Sequence, residues 1–396
     1  MPMRPCWAEI CTRALEENFR FLASLAAPHA ELLAMVKANA YGHSLALCAP
    51  AAARGGAKWL GVTSVEEGIA ARTLCPDARV LIMSGFARGQ AAAVLQFQLT
   101  PIAWELWQID ELAASARAAG AAAASVPVHL EIDTGMSRQG VLPGELSQIF
   151  SRFAPGSPLR LEAVMTHLFA ADEADGRATQ EQLARMDEVL GRISAAGLFA
   201  EWLNVGNSPA LLAGQARAFG ELAARHGMKA LLRPGLALYG VVPEFDPAFN
   251  AEREPLSLTA ARAALKPVLA WKSRVVGVRS VLAGATIGYN ATFVATEPMR
   301  LALVAVGYAD GLERSLGNRF HLLVRGQRAP LVGRVSMDQS VLDVTEIPGV
   351  EAGDEVVLIG VQDGESITAY DYARAMGTIP WEVFTRIGQR VARTAV

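Results

Sequence analysis

The chain has 396 residues, 52% hydrophobic and 19% charged, more than a single core usually holds, so two domains are expected. Lys and Arg number 36 against 39 Asp and Glu, a net charge of -3 with no basic block, which excludes an electrostatic footprint for nucleic acid and favours a small-molecule partner. The most apolar runs, such as 119–128, are too short to span a bilayer, and the opening Met1-Pro2-Met3-Arg4-Pro5 has no apolar signal-peptide core behind its arginine. Cys6, Cys11, Cys48 and Cys75 form no CxxC pair and no ligand cluster, as free thiols in a reducing compartment would. A cytoplasmic protein without a membrane anchor or a metal site is expected.

Up to about residue 240, short apolar runs alternate with amphipathic stretches, the pattern of βα units around a parallel sheet. Strands are predicted at 32–37, 59–63, 80–84, 100–103, 126–133, 161–167, 202–205 and 231–233. Between the sixth and seventh, Thr179 with Gln182 three residues on reads as a helix start, and Leu183, Met186, Val189, Leu190 and Ile193 recur at helical spacing. Gly197 closes that helix as its C′ residue. Eight such units favour a (β/α)8, TIM-like barrel over an open doubly wound sheet. Residues 243–264 have no sustained period, so the expected division is a barrel domain at 1–241 and a second domain at 242–396. The second is mainly β, with runs at 268–281, 301–308, 322–324, 331–337 and 356–359 and one helix at 368–376. The first ten residues or so add a strand to it.

Catalytic groups of such barrels project from the C-terminal ends of the strands. Lys37, Arg138, His167, Asn207, Ser208 and Arg233 all fall at or just beyond predicted strand ends. Each alone reads more readily as a solvated or hydrogen-bonded residue; together they mark a rim. A lysine after Leu33, Ala34, Met35 and Val36 has its ammonium form disfavoured, leaving an amine able to attack an aldehyde. Ser208 reads as a helix N-cap with Pro209 at the first helical position, and Arg233-Pro234-Gly235-Leu236 follows strand eight, where many barrels bind phosphate. An ordinary capped helix and an ordinary turn explain these two segments as well.

These residues sit in longer strings. AMVKANAYGH at 34–43 resembles the pyridoxal-phosphate attachment motif of the alanine racemases, a fold-type III family. DTGMSR at 133–138, Thr166-His167, GNS at 206–208, RPGLALYG at 233–240, GYNATF at 288–293, GYADG at 307–311 and GRVSMDQ at 333–339 resemble the rest of that family's pattern, in order. The resemblance implies a pyridoxal 5'-phosphate enzyme, a barrel plus a β domain, an amino-acid substrate, and a head-to-tail homodimer with shared active sites. It implies Lys37 as the Schiff-base lysine and the base on one face of Cα, and Tyr289 as the base on the other. A phenol of ordinary pKa, ~10, is a poor base at neutral pH, so a perturbing neighbour is required. The resemblance puts His167, linked to Arg233, in that place. Arg233 would face the pyridine nitrogen and leave it unprotonated. Tyr41, Asn207, Ser208, Gly235 and Leu236 would serve the phosphate, Arg138 the ring oxygen and substrate carboxylate, and the Met337 backbone that carboxylate. Tyr308 and Asp338 would belong to the entrance.

Two departures stand out. Many relatives carry, where Glu131 stands, a lysine converted to a carbamate that orients the arginine equivalent to Arg138; here a carboxylate is encoded, and it is expected to hold Arg138 itself. Gln389 stands where many relatives place a tyrosine. The segments 213–230 and 243–264 look longer than the usual connections. Racemisation of serine, decarboxylation of a basic amino acid, non-catalytic cofactor binding and cofactor-free Schiff-base aldol chemistry are the competing readings, the decarboxylase disfavoured by Gly288-Tyr289-Asn290 and Met337-Asp338.

Overall fold

The computed structural model describes residues 4–249 and 254–396. Residues 1–3, part of the start read as lacking a signal peptide, and 250–253, within the segment of no sustained period, lie outside the described residues. Contacts divide the chain into two units, one of Arg13–Ala40 and Cys48–Lys266, the other of the N-terminal residues up to Thr12, Tyr41–Leu47 and Pro267–Val396. Among the described residues no helix is long and apolar enough to cross a membrane.

The first unit is a closed parallel barrel of eight strands: Ala30–Met35, Trp59–Val62, Arg79–Ile82, Thr100–Ala103, Val126–Glu131, Leu159–Met165, Trp202–Asn204 and Lys229–Leu232. Strand eight closes on strand one through Ala30 opposite Ala230 and Leu32 opposite Leu232. Their apolar side chains are almost wholly buried, as strands covered on both faces require. The strands stop earlier than the sequence reading had them, so Lys37, His167 and Arg233 lie one or two residues beyond the last ladder bond. The helix between strands six and seven runs Arg177–Ala195 with Gly176 as its N-cap, and Thr179 is a buried residue of its first turn. Thr179 therefore does not cap it. Met186, Val189, Leu190 and Ile193 do form its buried stripe, and Gly197 follows the cap at φ 72°. The long connections contain helices: Ala216–Arg225 before strand eight, and Leu256–Ala264, which belongs with the barrel unit.

In the second unit Leu269–Val281 is the central strand. It pairs with Cys6–Ile10, Met299–Val304 and Glu355–Gln362, and Cys6–Ile10 pairs in turn with Ala392–Ala395. The run expected as a strand at 331–337 is irregular; its neighbours Gln327–Pro330 and Ser340–Asp343 carry the ladders. The backbone there departs because Gly333 sits at φ 76°, a left-handed conformation that breaks an extended run. Thr368 caps the helix Ala369–Met376, and a second helix, Pro380–Arg386, stands where only one was expected; its Pro380 opens the first turn. The four cysteines are free thiols.

Candidate active site

Immediately after strand one the chain does something rare for residues with a Cβ. Ala38, Asn39 and Ala40 take φ 52°, 52° and 56°, one turn of left-handed helix. Each such residue costs ~1–2 kcal/mol, so the turn must be held by its surroundings. Ala40 N–H donates to Val36 O at 2.8 Å and Asn39 N–H to Glu67 Oε1 at 3.1 Å. Glu67 also accepts from Thr63 N at 3.0 Å, and its own N–H is capped by Ser64 Oγ at 3.2 Å. On the strand side, the buried Tyr239 hydroxyl donates to Met35 O at 2.8 Å. Lys37 is thus fixed from both directions. Burial, then the positive charges of Arg138 and Arg233, push its ammonium below the usual lysine range, with Glu67 opposing.

Around it stand the other rim residues. Arg233, buried, donates from Nη2 to Thr166 O at 3.0 Å and lies 3.2 Å from His167 Nδ1, while Nη1 donates to Asn204 Oδ1. Burial, with Arg233, Arg138 and Lys37 adding to it, lowers His167 to about 3, so the imidazole is neutral. Because a guanidinium only donates, His167 Nδ1 is the acceptor and Nε2 carries the hydrogen. Arg138 leaves an exposed loop whose shape comes from Asp133, whose Oδ1 accepts from Gly135 N at 2.9 Å and Ser137 N at 3.1 Å. Gln182 ties that loop to strand six through Thr134 Oγ1 at 3.0 Å and His167 O at 2.9 Å.

Glu131 differs from expectation. The hydrogen bond its Oε2 accepts comes from Gln139 Nε2, not from Arg138, and Gln139 also reaches Met83 O at 3.3 Å. Arg138 acts on Glu131 only through its charge. Burial raises the Glu131 carboxyl to about 7, against the pull of Gln139, Arg233 and Arg138.

The expected N-cap is also displaced by one residue. Asn207, extended at φ -115°, accepts from Ala210 N at 3.1 Å, and Ser208 is the first helical residue of Ser208–Leu212. Freed from capping, the Ser208 hydroxyl accepts from Gly235 N at 2.9 Å and Ala237 N at 3.3 Å, so the loops after strands seven and eight meet at one oxygen beside several backbone N–H groups.

The remaining candidates belong to the second unit. Tyr289 opens a tight turn, Tyr289–Ala291, between the two short strands Thr286–Ile287 and Phe293–Val294, and is 66% exposed. Tyr308 and Met337 are exposed at 43% and 52%. Their segments are joined by Tyr308 N to Ser336 O at 3.0 Å and Ala309 N to Met337 O at 3.0 Å. Gly307 permits this approach, since a Cβ there would strike the Ser336 and Met337 carbonyls. Beneath them the buried Asp310 accepts from Arg4 Nη2 at 2.7 Å, Arg390 Nε at 2.8 Å and Gly307 N at 2.9 Å, and Arg390 reaches Asp338 at 2.8 Å. Tyr41 lies in the segment Tyr41–Leu47 of this unit, where Arg393 Nε donates to Gly42 O at 3.0 Å. Gln139, Glu67 and Arg390 had no place in the sequence reading, and Asp310 stood in it only within the GYADG string; Gln139 and Arg390 adjoin Arg138 and Gln389, which did, whereas Glu67 adjoins no candidate site residue.

A barrel whose C-terminal rim gathers a deprotonation-prone lysine, a buried arginine and a neutral histidine defines an enzyme site for amine and carbonyl chemistry. Residues 10–243 match the family model "Alanine racemase, N-terminal domain" and residues 268–395 the model "Alanine racemase, C-terminal domain". The chain belongs to the alanine racemase family, whose members are pyridoxal-phosphate-dependent isomerases. The alanine racemase of Symbiobacterium thermophilum is 38% identical over 392 residues, 99% of this chain and 97% of that protein. The crystal structure of alanine racemase from D-cycloserine-producing Streptomyces lavendulae matches with a TM-score of 0.86 at 32% identity, covering 100% of this chain and 98% of that one. That from Bartonella henselae, with covalently bound pyridoxal phosphate, matches with a TM-score of 0.82 at 28% identity, covering 99% of each.

Proposed function

We propose that this protein interconverts L- and D-alanine with pyridoxal 5'-phosphate as cofactor, and that Lys37 and Tyr289 move protons on opposite faces of the substrate Cα. The observation that carries the reading is Lys37, half-buried at the rim between Arg138 and Arg233, whose charges together with partial burial disfavour its ammonium form. The residues present fit the cofactor: an amine for its aldehyde, a rigid guanidinium for its ring nitrogen, and the Ser208 hydroxyl, its oxygen held by the Gly235 N–H, with the Leu236 N–H for its phosphate, Asn207 fixing Ser208 and Tyr41 completing the set. Bound there, pyridoxal phosphate supplies an aldehyde carbon and a conjugated ring that acidifies the Cα–H of an attached amino acid.

The chain's own residues then divide the work. Lys37 Nζ takes or returns the Cα proton on one face, and Tyr289 Oη does so on the other. His167, neutral and accepting from Arg233, has its Nε2–H as the donor we assign to the Tyr289 oxygen. Arg233 keeps its protons, so it offers the ring nitrogen a hydrogen bond without protonating it. Arg138 and the Met337 N–H hold the substrate carboxylate; Tyr308 and Asp338 line the approach. We assign Tyr289 and Met337 of each site to the other subunit of a head-to-tail homodimer, which their exposure supports. The cytoplasm, a reducing compartment, suits four free thiols. Chiral chromatography after incubation with each L-amino acid separately tests the reading. D-alanine approaching the amount of L-alanine is expected; no inversion, or faster inversion of serine, overturns it.

A further inference from the structure

Four successive barrel strands each place one buried polar side chain in a single chain of hydrogen bonds. Glu162 lies in strand six, His129 in strand five, Asn204 ends strand seven and Arg233 follows strand eight. Glu162, His129 and Asn204 are fully buried. Glu162 Oε1 accepts from Arg160 Nη2 at 2.7 Å and pairs with Arg79, which stacks 3.7 Å over the Trp59 ring. Glu162 Oε2 lies 3.2 Å from His129 Nε2, His129 Nδ1 lies 3.2 Å from Asn204 Nδ2, and Asn204 Oδ1 accepts from Arg233 Nη1.

The direction of every bond is fixed. Although burial opposes it, the hydrogen bonds from His129 and Arg160 and the charge of Arg79 hold the Glu162 carboxyl below the usual carboxylate range, so it only accepts. Burial keeps His129 below the usual histidine range, against the pull of Glu162. A neutral imidazole facing a carboxylate with Nε2 carries its hydrogen there, so Nδ1 must accept. Asn204 then has to turn its NH2 toward His129 and its oxygen toward Arg233. We propose that Glu162 is a positioning residue for Arg233, acting through His129 and Asn204 as a one-way relay from the middle of strand six to the catalytic rim. The effect on catalysis rests on the role of Arg233 proposed above; the relay itself does not.

Glu162→Gln reverses the relay with almost no change of shape. Arg79 and Arg160 draw the amide oxygen, its NH2 faces His129 Nε2, the tautomer switches to Nδ1–H, and Asn204 flips to set a donor against Arg233. Asn204→Asp repairs this, since a carboxylate accepts from both His129 Nδ1–H and Arg233. With the chain's six histidines labelled with ¹⁵N and the His129 signals assigned by their loss in His129→Gln, the wild-type holoenzyme should show the Nε2–H tautomer and Glu162→Gln the Nδ1–H tautomer. Kcat should fall about ten- to a hundredfold in Glu162→Gln, with little change in KM, and recover in Glu162→Gln/Asn204→Asp. An Nδ1–H tautomer or an imidazolium in the wild type, an unchanged tautomer in Glu162→Gln, or an Asn204→Asp change that deepens the defect overturns the relay. A tautomer that switches in Glu162→Gln and stays Nδ1–H in the double variant, with kcat untouched throughout, upholds the relay and overturns the role of Arg233. Should Glu162→Gln fail to fold, the wild-type tautomer and the double variant still decide.

Discussion

Glu131→Gln should make the protein more stable than its parent above neutral pH and no more stable below pH 5. The parent carboxyl titrates at about 7 in the folded chain because burial disfavours its charge, against an ordinary 4.5. A raised folded pKa contributes stability that is complete below the unfolded value and is lost as pH climbs through the folded one. At about 1.4 kcal/mol per pH unit, that gap makes the loss about 3 kcal/mol between pH 4.5 and pH 8. Glutamine keeps the acceptor oxygen for Gln139 Nε2 and removes the charge, so it should not show the decline. Urea unfolding of both proteins at pH 5, 6, 7 and 8, at one protein concentration, reads the difference and cancels other titrations, including that of His167. The variant's advantage should grow between about pH 4.5 and 7, with its midpoint near 6, and level off above 7. A flat difference, or one that shrinks toward high pH, would refute the assignment of a buried, hydrogen-bonded carboxyl at this site.

Lys37→Ala should abolish covalent cofactor labelling: after borohydride reduction and peptide mapping the pyridoxyl group should sit on Lys37 in the parent and nowhere in the variant, and a label on Lys58, Lys229, Lys266 or Lys272 would sink the choice of lysine. Activity in the parent should be indifferent to added bicarbonate, since Glu131 is itself a carboxylate; a bicarbonate-dependent rate would contradict this. Mixing Lys37→Ala with Tyr289→Phe should restore activity that neither has alone. With complete exchange half the dimers are mixed, each with one intact site, so roughly a quarter of all sites should recover. No recovery after native mass spectrometry has confirmed exchange would place both groups in one subunit.

The barrel was legible because its strands are short, apolar and bounded by turn residues, and because polar residues end them at one rim. Lys37, His167 and Arg233 announced themselves in this way. What they bond to did not, since the left-handed turn at Ala38–Ala40 depends on Glu67, about thirty residues downstream, and no local pattern carries it. Gln139 was overlooked beside Arg138: nothing local says which of two neighbouring side chains turns to Glu131. Placing the cap at Ser208 rather than Asn207 was a choice between two good capping residues, settled by the demand of Gly235 and Ala237 for the serine oxygen. His129, Glu162 and Asn204 stood in plain view inside apolar strands; a polar residue at such a position needs a partner, and that signal was available. The strand Ala392–Ala395 pairs with the opposite end of the chain, a contact too remote for periodicity to reveal.

Proton exchange at Cα in Tyr289→Phe tests most directly whether two groups work on two faces. The variant is incubated in D2O with pure L-alanine and pure D-alanine in separate tubes, and the Cα–H signal is followed by NMR alongside chiral analysis. With Lys37 alone remaining, one enantiomer should exchange its Cα proton without inverting and the other should keep it. Equal exchange of both enantiomers, or inversion at the parent's rate, would contradict the two-sided mechanism.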